Sequence, residues 1–259
     1  MCIRDRLLSI AGAVVFGAAW AFIPAYLQAT RGSHVVITTI MFNFIAASLM
    51  VFLLVDVIRD TAQMGPHTVA LPKEQWFPSF KDFAGLFGIK IRYSPLNISF
   101  LLAIAASVFV WFLVWKTRWG YEMRAVGHNT QAAIYAGISP YKNIIIAMCI
   151  SGGLAGLLGV NEILGVHHKI VAGFPAGYGF TGIAVALMGR NHPIGIFPAA
   201  FLFGILYQGG SEVTFDMPNI TRYMFVAVQG VIILFSGALE NLFRPQIESF
   251  FVNRLNIKA

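Results

Sequence analysis

The sequence predicts an all-α fold, a polytopic bundle of membrane-spanning helices, and three observations predict it. Of its 259 residues, 58% are hydrophobic and 11% charged, and the mean hydropathy is +0.73; an average soluble domain carries roughly 25% charged residues. The apolar residues are gathered into long runs, and about 20 such residues in a helix cover a hydrocarbon core of about 30 Å. The basic residues behind the net charge of +7 stand near the ends of those runs and form no stripe. Lipid headgroups and cytoplasmic anchoring account for that placement, and with no nucleic-acid motif present, nucleic acid is not expected as a partner. Two cysteines, Cys2 and Cys149, one terminal and one inside an apolar run, offer neither a disulfide framework nor a cysteine metal site. Residues 1–259 read as a single transmembrane domain.

The runs predict spans at residues 7–27, 35–58, 98–116, 143–163 and 221–241. Between the last two lie GYGFTGIAVALMG (177–189) and IGIFPAAFLFGILYQ (194–208), each short for a full crossing and separated only by GRNHP. They read as two tilted or broken spans or as one re-entrant hairpin; any unpaired backbone there must face protein or water. Counting both as crossings gives seven spans, and the bundle is expected to hold about six or seven, short broken or re-entrant helices included. The opening MCIRDR runs directly into apolar sequence with no small-residue cleavage site, so no signal peptide is expected. Met1 to Arg6 is read as non-native, with the true N-terminus missing.

Placing the 117–142 loop inside leaves nine Lys and Arg on each side. Five of the outer ones fall in the single long loop 59–97, and long loops count for less, so the short-loop bias makes 117–142 cytoplasmic and 59–97 extracytoplasmic. The long loop interleaves Pro66, Pro72, Pro78 and Pro95 with Trp76, Phe77, Phe80 and Phe83. That pattern suits a segment lying at headgroup level, or a docking surface for an external protein.

Within the inner loop, RAVGHNTQAAIYAGISPYK, Arg124 to Lys142, predicts one short helix. Asn129 or Thr130 can cap its first turn, Gly137 supplies a left-handed stop, and Ser139-Pro140 caps and opens the next helix. The exposed face of the short helix would be Ala, Ile and Tyr, which packs either on its own bundle or on a partner.

This stretch resembles the cytoplasmic loop of permease subunits in bacterial ATP-binding-cassette importers, in the branch handling simple sugars and nucleosides. GVHHKIVAGFPAGYGFTGIAVALMGRNHPIGI (165–196) and HVVITTIMFNFIA (34–46) resemble two further blocks of that branch, in the same order along the chain. The resemblance implies a type II-like importer fold in a bacterial inner membrane. The partners it implies are a second permease subunit, identical or similar, two ATP-binding subunits and an extracytoplasmic substrate-binding protein. It implies that cytoplasmic loops fit a cleft on the ATP-binding subunits, and by position the candidates are Gly127, His128, Asn129, Ala136 and Gly137, with Gly189, Arg190, Asn191 and His192. The second group is the expected main coupling element because it joins two adjacent segments. Family permeases are longer at the N-terminus. The family pattern carries an acidic residue where this chain has Thr181, so no electrostatic role is assigned there.

Among candidates for handling a solute, Glu162 is foremost, since a carboxylate at membrane depth is costly. It can bond a hydroxyl-rich solute or hold a gate through Lys169 or His167, or else sit exposed at the helix end. Thr39 and Asn43, four apart, share a helix face and supply uncharged donors and acceptors, or bond between helices. Phe174, Tyr178 and Phe180 on a glycine-rich turn can stack on a nucleobase or simply pack. SGGLAGLLG, Ser151 to Gly159, spaces small residues four apart, a pattern for close helix packing in preference to pore lining. No metal site is expected, because adjacent His167 and His168 on a helix diverge and no HExxH pattern exists. No GxxxxGK[ST] loop exists either, so ATP and magnesium would be bound by partner subunits, and no cofactor or catalytic residue is expected here. The competing reading is an ion-coupled secondary transporter of small polar solutes, for which Glu162 and Asp56 are almost the only ionisable candidates within the spans. An intramembrane enzyme would need a nucleophile and base, or a metal constellation, that the sequence does not offer.

Overall fold

Long apolar runs become long helices because a helix satisfies every backbone polar group internally, which a lipid environment demands. The computed structural model describes residues 2–58, 65–78, 96–174, 177–217, 224–232 and 234–235. Contacts divide it into two units, Met1–Ala176 and Gly177–Ala259. Among the described residues, five helices are long and apolar enough to cross a membrane and one apolar helix is shorter. No strand is present among them beyond a single antiparallel bridge between His67 and Val171.

In the first unit, α1 (Cys2–Arg31) and α2 (Val35–Phe52) are joined at Gly32, whose φ of +63° turns the chain. A π-helical turn, Leu53–Val57, extends α2. Helix α3 (Ser99–Lys116) leads through Thr117 into α4 (Arg118–His128), followed by α5 (Thr130–Tyr135) and α6 (Pro140–Val160). Helix α6 continues as a π-helical segment, Asn161–His167.

The seam between α1 and α6 organises this unit. A Cβ at Gly17 would strike the Gly152 carbonyl, one at Gly152 would strike Ala21 and the Gly17 carbonyl, and one at Gly156 would strike the Ala13 carbonyl. As numbers rise along α1 they fall along α6, so the two helices are antiparallel, backbone against backbone. The small-residue motif therefore serves packing, as its spacing predicted, except that Gly159 meets nothing within 4 Å.

Antiparallel pairing puts Arg31 and Lys142 at one end of the unit and the start of α1 with Asn161–His167 at the other. At that second end the segment 65–78 of the long loop lies across the π-turn. The Phe77 amide donates to the Leu164 carbonyl at 3.0 Å and the Leu71 amide to the His168 carbonyl at 2.8 Å. Phe77 is buried with Val160 and Leu164, against Ile10, Leu71 and Ile98. Arg6 donates to the Glu74 carbonyl at 3.0 Å, tying the start of α1 to the same strap. The remainder of the 59–97 loop, residues 59–64 and 79–95, lies outside the described residues.

In the second unit, α7 (Tyr178–Met188) and α8 (Pro193–Asp216) pair through Ala184, Val185, Ala199 and Phe203. The short α7 matches its apolar run. Helix α8 does not: the run 194–208 reads as short, yet the helix continues through Gly209-Gly210-Ser211 for 24 residues. The helix runs on through the glycines because Phe225 packs into the space that Gly210 leaves, and Gln208 donates to Glu212 one turn on, at 3.0 Å. Part of the span expected at 221–241 is helical, at 224–232; residues 221–223, 233 and 236–241 lie outside the described residues.

Candidate functional site

Local chemistry builds the α4–α5–α6 corner in steps. Thr117 accepts a bond from the Gly120 amide at 3.2 Å and opens α4. Gly120 has no room for a side chain, since a Cβ would meet the Leu113 and Val114 carbonyls, so α4 can fold back tightly after α3. The segment expected to hold one short helix thus holds two, because Arg118–Glu122 (3.0 Å, i,i+4) and the Thr117 cap make the polar RWGYEMRAVGH helical. Asn129, the cap chosen over Thr130, accepts from the amides of Gln131 and Ala132 at 3.0 and 3.1 Å. The Thr130 hydroxyl instead donates back to the Val126 carbonyl.

Helix α5 ends in a Schellman motif: the Gly137 amide donates to the Ile134 carbonyl, the Ile138 amide to the Ala133 carbonyl, and Gly137 sits at φ +79°. Ser139 precedes Pro140 as expected but makes no side-chain cap. Its carbonyl instead accepts from the Asn143 side chain at 3.0 Å. Ala133 is buried, while Ile134 is 51% and Tyr135 92% exposed, an apolar knob on a helix fixed at both ends. Gly127, His128, Ala136 and Gly137 lie on the same corner, at the end of α4 and the end of α5.

The α7–α8 turn is built differently. Gly189 is buried, and a Cβ there would meet Ile196 and Gly195 backbone atoms at 2.7–2.9 Å, so the two helices touch through backbone at their joint. Arg190 and Asn191 both adopt left-handed backbone, at φ 55° and 53°; arginine is rarely found there, and consecutive left-handed residues reverse the chain in minimal length. His192 accepts the Ile194 amide on Nδ1 at 3.3 Å and caps α8.

At the far end of the first unit Glu162 is 6% exposed, so it does not sit at an exposed interface. Asn161 donates to its Oε1 at 3.2 Å, and His167 Nε2 lies 3.6 Å from its Oε2. Asn97, also buried, fills the space left by Gly165, and the Ser99 hydroxyl lies between the side-chain oxygens of Asn97 and Asn161. This ties the start of α3 to the π-turn of α6. The imidazole of His168 stacks on Trp76, ring centroids 3.7 Å apart and 6° from parallel. Lys169 makes no described contact with Glu162, so of the two gate partners considered the structure brings only His167 to it.

Thr39 and Asn43 line one cavity of about 320 Å³ with Trp20, Phe42, Met148 and Ser151. The Thr39 hydroxyl is within bonding distance of the Val35 and Val36 carbonyls, 2.9 and 3.1 Å. Of the three proposed stacking aromatics, Phe174 belongs to the first unit, half-buried on a turn. Tyr178 and Phe180 belong to the second, where Tyr178 packs edge to face on Tyr207 at 6.2 Å and Phe180 is 63% exposed. The sequence points neither to Asn97, Ser99 and Asn161 nor to Trp20 and Phe42, and it marks Ser151 only as the start of a packing motif. Only their polarity or aromaticity within or beside apolar runs could have marked them.

The family described as branched-chain amino acid transport system / permease component matches residues 3–237. The guanosine ABC transporter permease protein NupP of Bacillus subtilis is 36% identical over 233 residues, 88% of this chain and 63% of its own length. The nucleoside ABC transporter permease protein NupB of Lactococcus lactis is 36% identical over 226 residues, 83% of this chain and 59% of its own length. The glucose ABC transporter permease protein TsgB13 of Haloferax volcanii is 33% identical over 254 residues, 96% of this chain and 65% of its own length. The chain thus spans about three-fifths of the length of these curated relatives. No solved structure matches it.

Proposed function

We propose, from the premise that this chain belongs to the branched-chain amino acid transport system permease component family, that it is the membrane-spanning subunit of an ATP-driven importer of simple sugars or nucleosides. The observation that carries the reading, beside the family, is the α4–α5–α6 corner. A six-residue helix, capped by Asn129 and closed by Gly137, holds Ile134 and Tyr135 outward. An apolar knob on rigid supports is what a separate motor subunit can grip, and the sequence offers no phosphate loop of its own.

In this reading two ATP-binding subunits close on ATP and magnesium, pull on the corner and on the Gly189–His192 turn, and a second permease subunit completes the pathway. An extracytoplasmic binding protein delivers the solute, and the pathway opens to one face at a time in the inner membrane of a bacterium. Thr39, Asn43, Glu162, Phe174, Tyr178 and Phe180 are the pathway candidates. No bond in the solute is made or broken, and the chain needs no metal or cofactor of its own. Support comes from the relatives that carry nucleoside and sugar permease names and from the polar groups of the first unit.

The test is retention of the cognate ATPase in detergent by the full-length permease, compared with a version whose Gly127–Gly137 and Gly189–Pro193 segments are replaced by Ser/Gly linkers of equal length. Retention by the native loops alone supports the reading. A well-folded native permease that retains no ATPase removes it. The burial of Glu162 beside His167 favours the alternative, an ion-coupled transporter, in one respect: it places an ionisable pair inside a span. Uptake that survives ATP depletion and collapses with a proton ionophore would select that alternative.

A further inference from the structure

Helix α3 is tied to α6 at its start, where the Ser99 hydroxyl meets Asn161, and returns to it beyond its end through α4, which packs on α6. Between these two tethers α1, α3 and α6 leave a groove of about 490 Å³. Ala18, Ala105, Ala106 and Gly153 contribute little or no side chain to its wall, and that is what opens the space. Because α1 and α6 are antiparallel and α3 starts beside Asn161, Ile10, Leu102 and Leu157 border one end, and Phe109 and Cys149 the other.

Of the twelve residues that line the groove, only Cys149 carries a side-chain heteroatom, its thiol. Backbone polar groups of a helix are paired within it, so water in the groove would find almost no partner. Even an enclosed apolar cavity of about 150 Å³ stays dry and takes up apolar molecules instead. Packed interiors keep few voids larger than a water molecule. The groove therefore calls for an apolar occupant.

Its dimensions select which one. From Ile10 to Ala18 on α1, and from Cys149 to Leu157 on α6, it follows eight residues, about 12 Å of helix axis. Spread over that length, the volume leaves a passage about 7 Å across, narrower than a helix with its side chains, about 10–12 Å. Another helix can lie over this groove but cannot fill it, whereas an unbranched hydrocarbon tail can. All three helices are long and apolar enough to cross a membrane. A length of about 12 Å is less than half of a hydrocarbon core of about 30 Å, so the tail of a lipid in one leaflet reaches along it.

We propose that this groove holds one acyl chain of a membrane phospholipid as a resident ligand, packed between α3 and the α1–α6 pair. The proposal is independent of what the chain transports. The test uses the full-length permease in nanodiscs of phosphatidylcholine, doped with a phosphatidylcholine that carries a diazirine at the end of one acyl chain. After illumination, mass spectrometry is expected to find acyl adducts on Cys149 and Leu154 as well as elsewhere on the protein. Ala106→Phe puts a ring into the groove and is expected to abolish those two adducts while the others persist. Should that ring prevent folding, Ala105→Met places a flexible side chain in the same wall and is read in the same way. Phospholipid added back after delipidation is expected to raise the unfolding midpoint of the unaltered chain, as any ligand of the folded state does, with the rise lost in the filled variant.

Adducts elsewhere with none on Cys149 or Leu154 would overturn the proposal, and would mean that the groove is dry or closed by another protein segment. Adducts at Cys149 that survive the filling substitutions overturn it as well, since they would come from lipid that touches only the outer surface.

Discussion

The carboxylate of Glu162 faces the imidazole of His167, Oε2 to Nε2 at 3.6 Å, across five positions of one helical segment. In an α-helix residues five apart point about 140° away from each other. The wider π-turn over Asn161–His167 brings them to one side, which is how such turns commonly aim functional side chains.

Removing the carboxylate separates two contributions at this site. The imidazole is 42% exposed, so water screens the pair and the attraction itself contributes little. The bond from Asn161 to Oε1 matters more. Glu162→Gln keeps an acceptor and should cost under about 1 kcal/mol, whereas Glu162→Ala orphans the Asn161 amide and should cost about 1–3 kcal/mol. Unfolding midpoints in detergent compare them; equal midpoints for the two variants would show that the Asn161 bond does not stabilise the π-turn.

The α1–α6 seam predicts opposite outcomes for two glycines three residues apart. Gly156→Leu drives a side chain into the Ala13 backbone, which cannot step aside, and should cost about 3 kcal/mol or more, or abolish recovery of folded protein. Gly159→Ala meets open space and should be neutral to mildly stabilising, within about 1 kcal/mol. Folded yield and thermal midpoint decide it, and a tolerated Gly156→Leu would mean that the helices are not in backbone contact.

At the surface corner, Asn129→Ala removes a side-chain cap and should cost about 1 kcal/mol. Gly137→Val forces a β-branched residue to φ +79° and should cost more, about 2 kcal/mol. Both variants should weaken ATPase retention in the detergent assay, while Thr130→Ala, which caps nothing, should leave it unchanged. Equal retention by all three would detach the corner from coupling.

The strap over the π-turn predicts a cross-link. His67 and Val171 face each other as an antiparallel pair, a separation of about 4.5–5.5 Å between Cα atoms, within disulfide range. In a background of Cys2→Ser and Cys149→Ser, His67→Cys with Val171→Cys should close under mild oxidation and run faster on a non-reducing gel. Absence of the shift, with both thiols reactive to maleimide, would place the strap elsewhere.

Much of this molecule was legible in the sequence wherever the governing physics is local. The 35–58 run is uninterrupted and became a helix with nearly those bounds. Asn129 and Gly137 act within three or four residues of themselves, so their roles could be read directly. Glu162 stood out as a charge inside an apolar run, and its partner lay close by in sequence. By contrast, Ser99 meets Asn161 across 62 positions and Arg6 meets Glu74 across 68, and no local pattern announces such pairs. Arg6 precedes the first apolar run, where nothing local marks a partner. Trp20 and Phe42 gave no signal in a chain that is 14% aromatic. The length of α8 does not show in the sequence because Gly-Gly-Ser reads as a break, whereas Phe225, distant in sequence, packs on Gly210 and holds the helix there.

Helix α6 with its π-turn runs 28 residues from Pro140 to His167, a rod of about 42 Å. Where α1 lies against it at Gly152 and Gly156, only the Ala21 methyl and the backbone of Ala13 and Gly17 meet it, and no long side chain intervenes to act as a spring. A displacement imposed beside Pro140 is therefore passed along the rod with little loss, and α1 is carried with it as part of one stiff lever. At the far tip the helix widens at Asn161, and the strap holds it through Leu71 and Phe77. A force applied beside Pro140 would be delivered along this rod to the turn that carries Glu162.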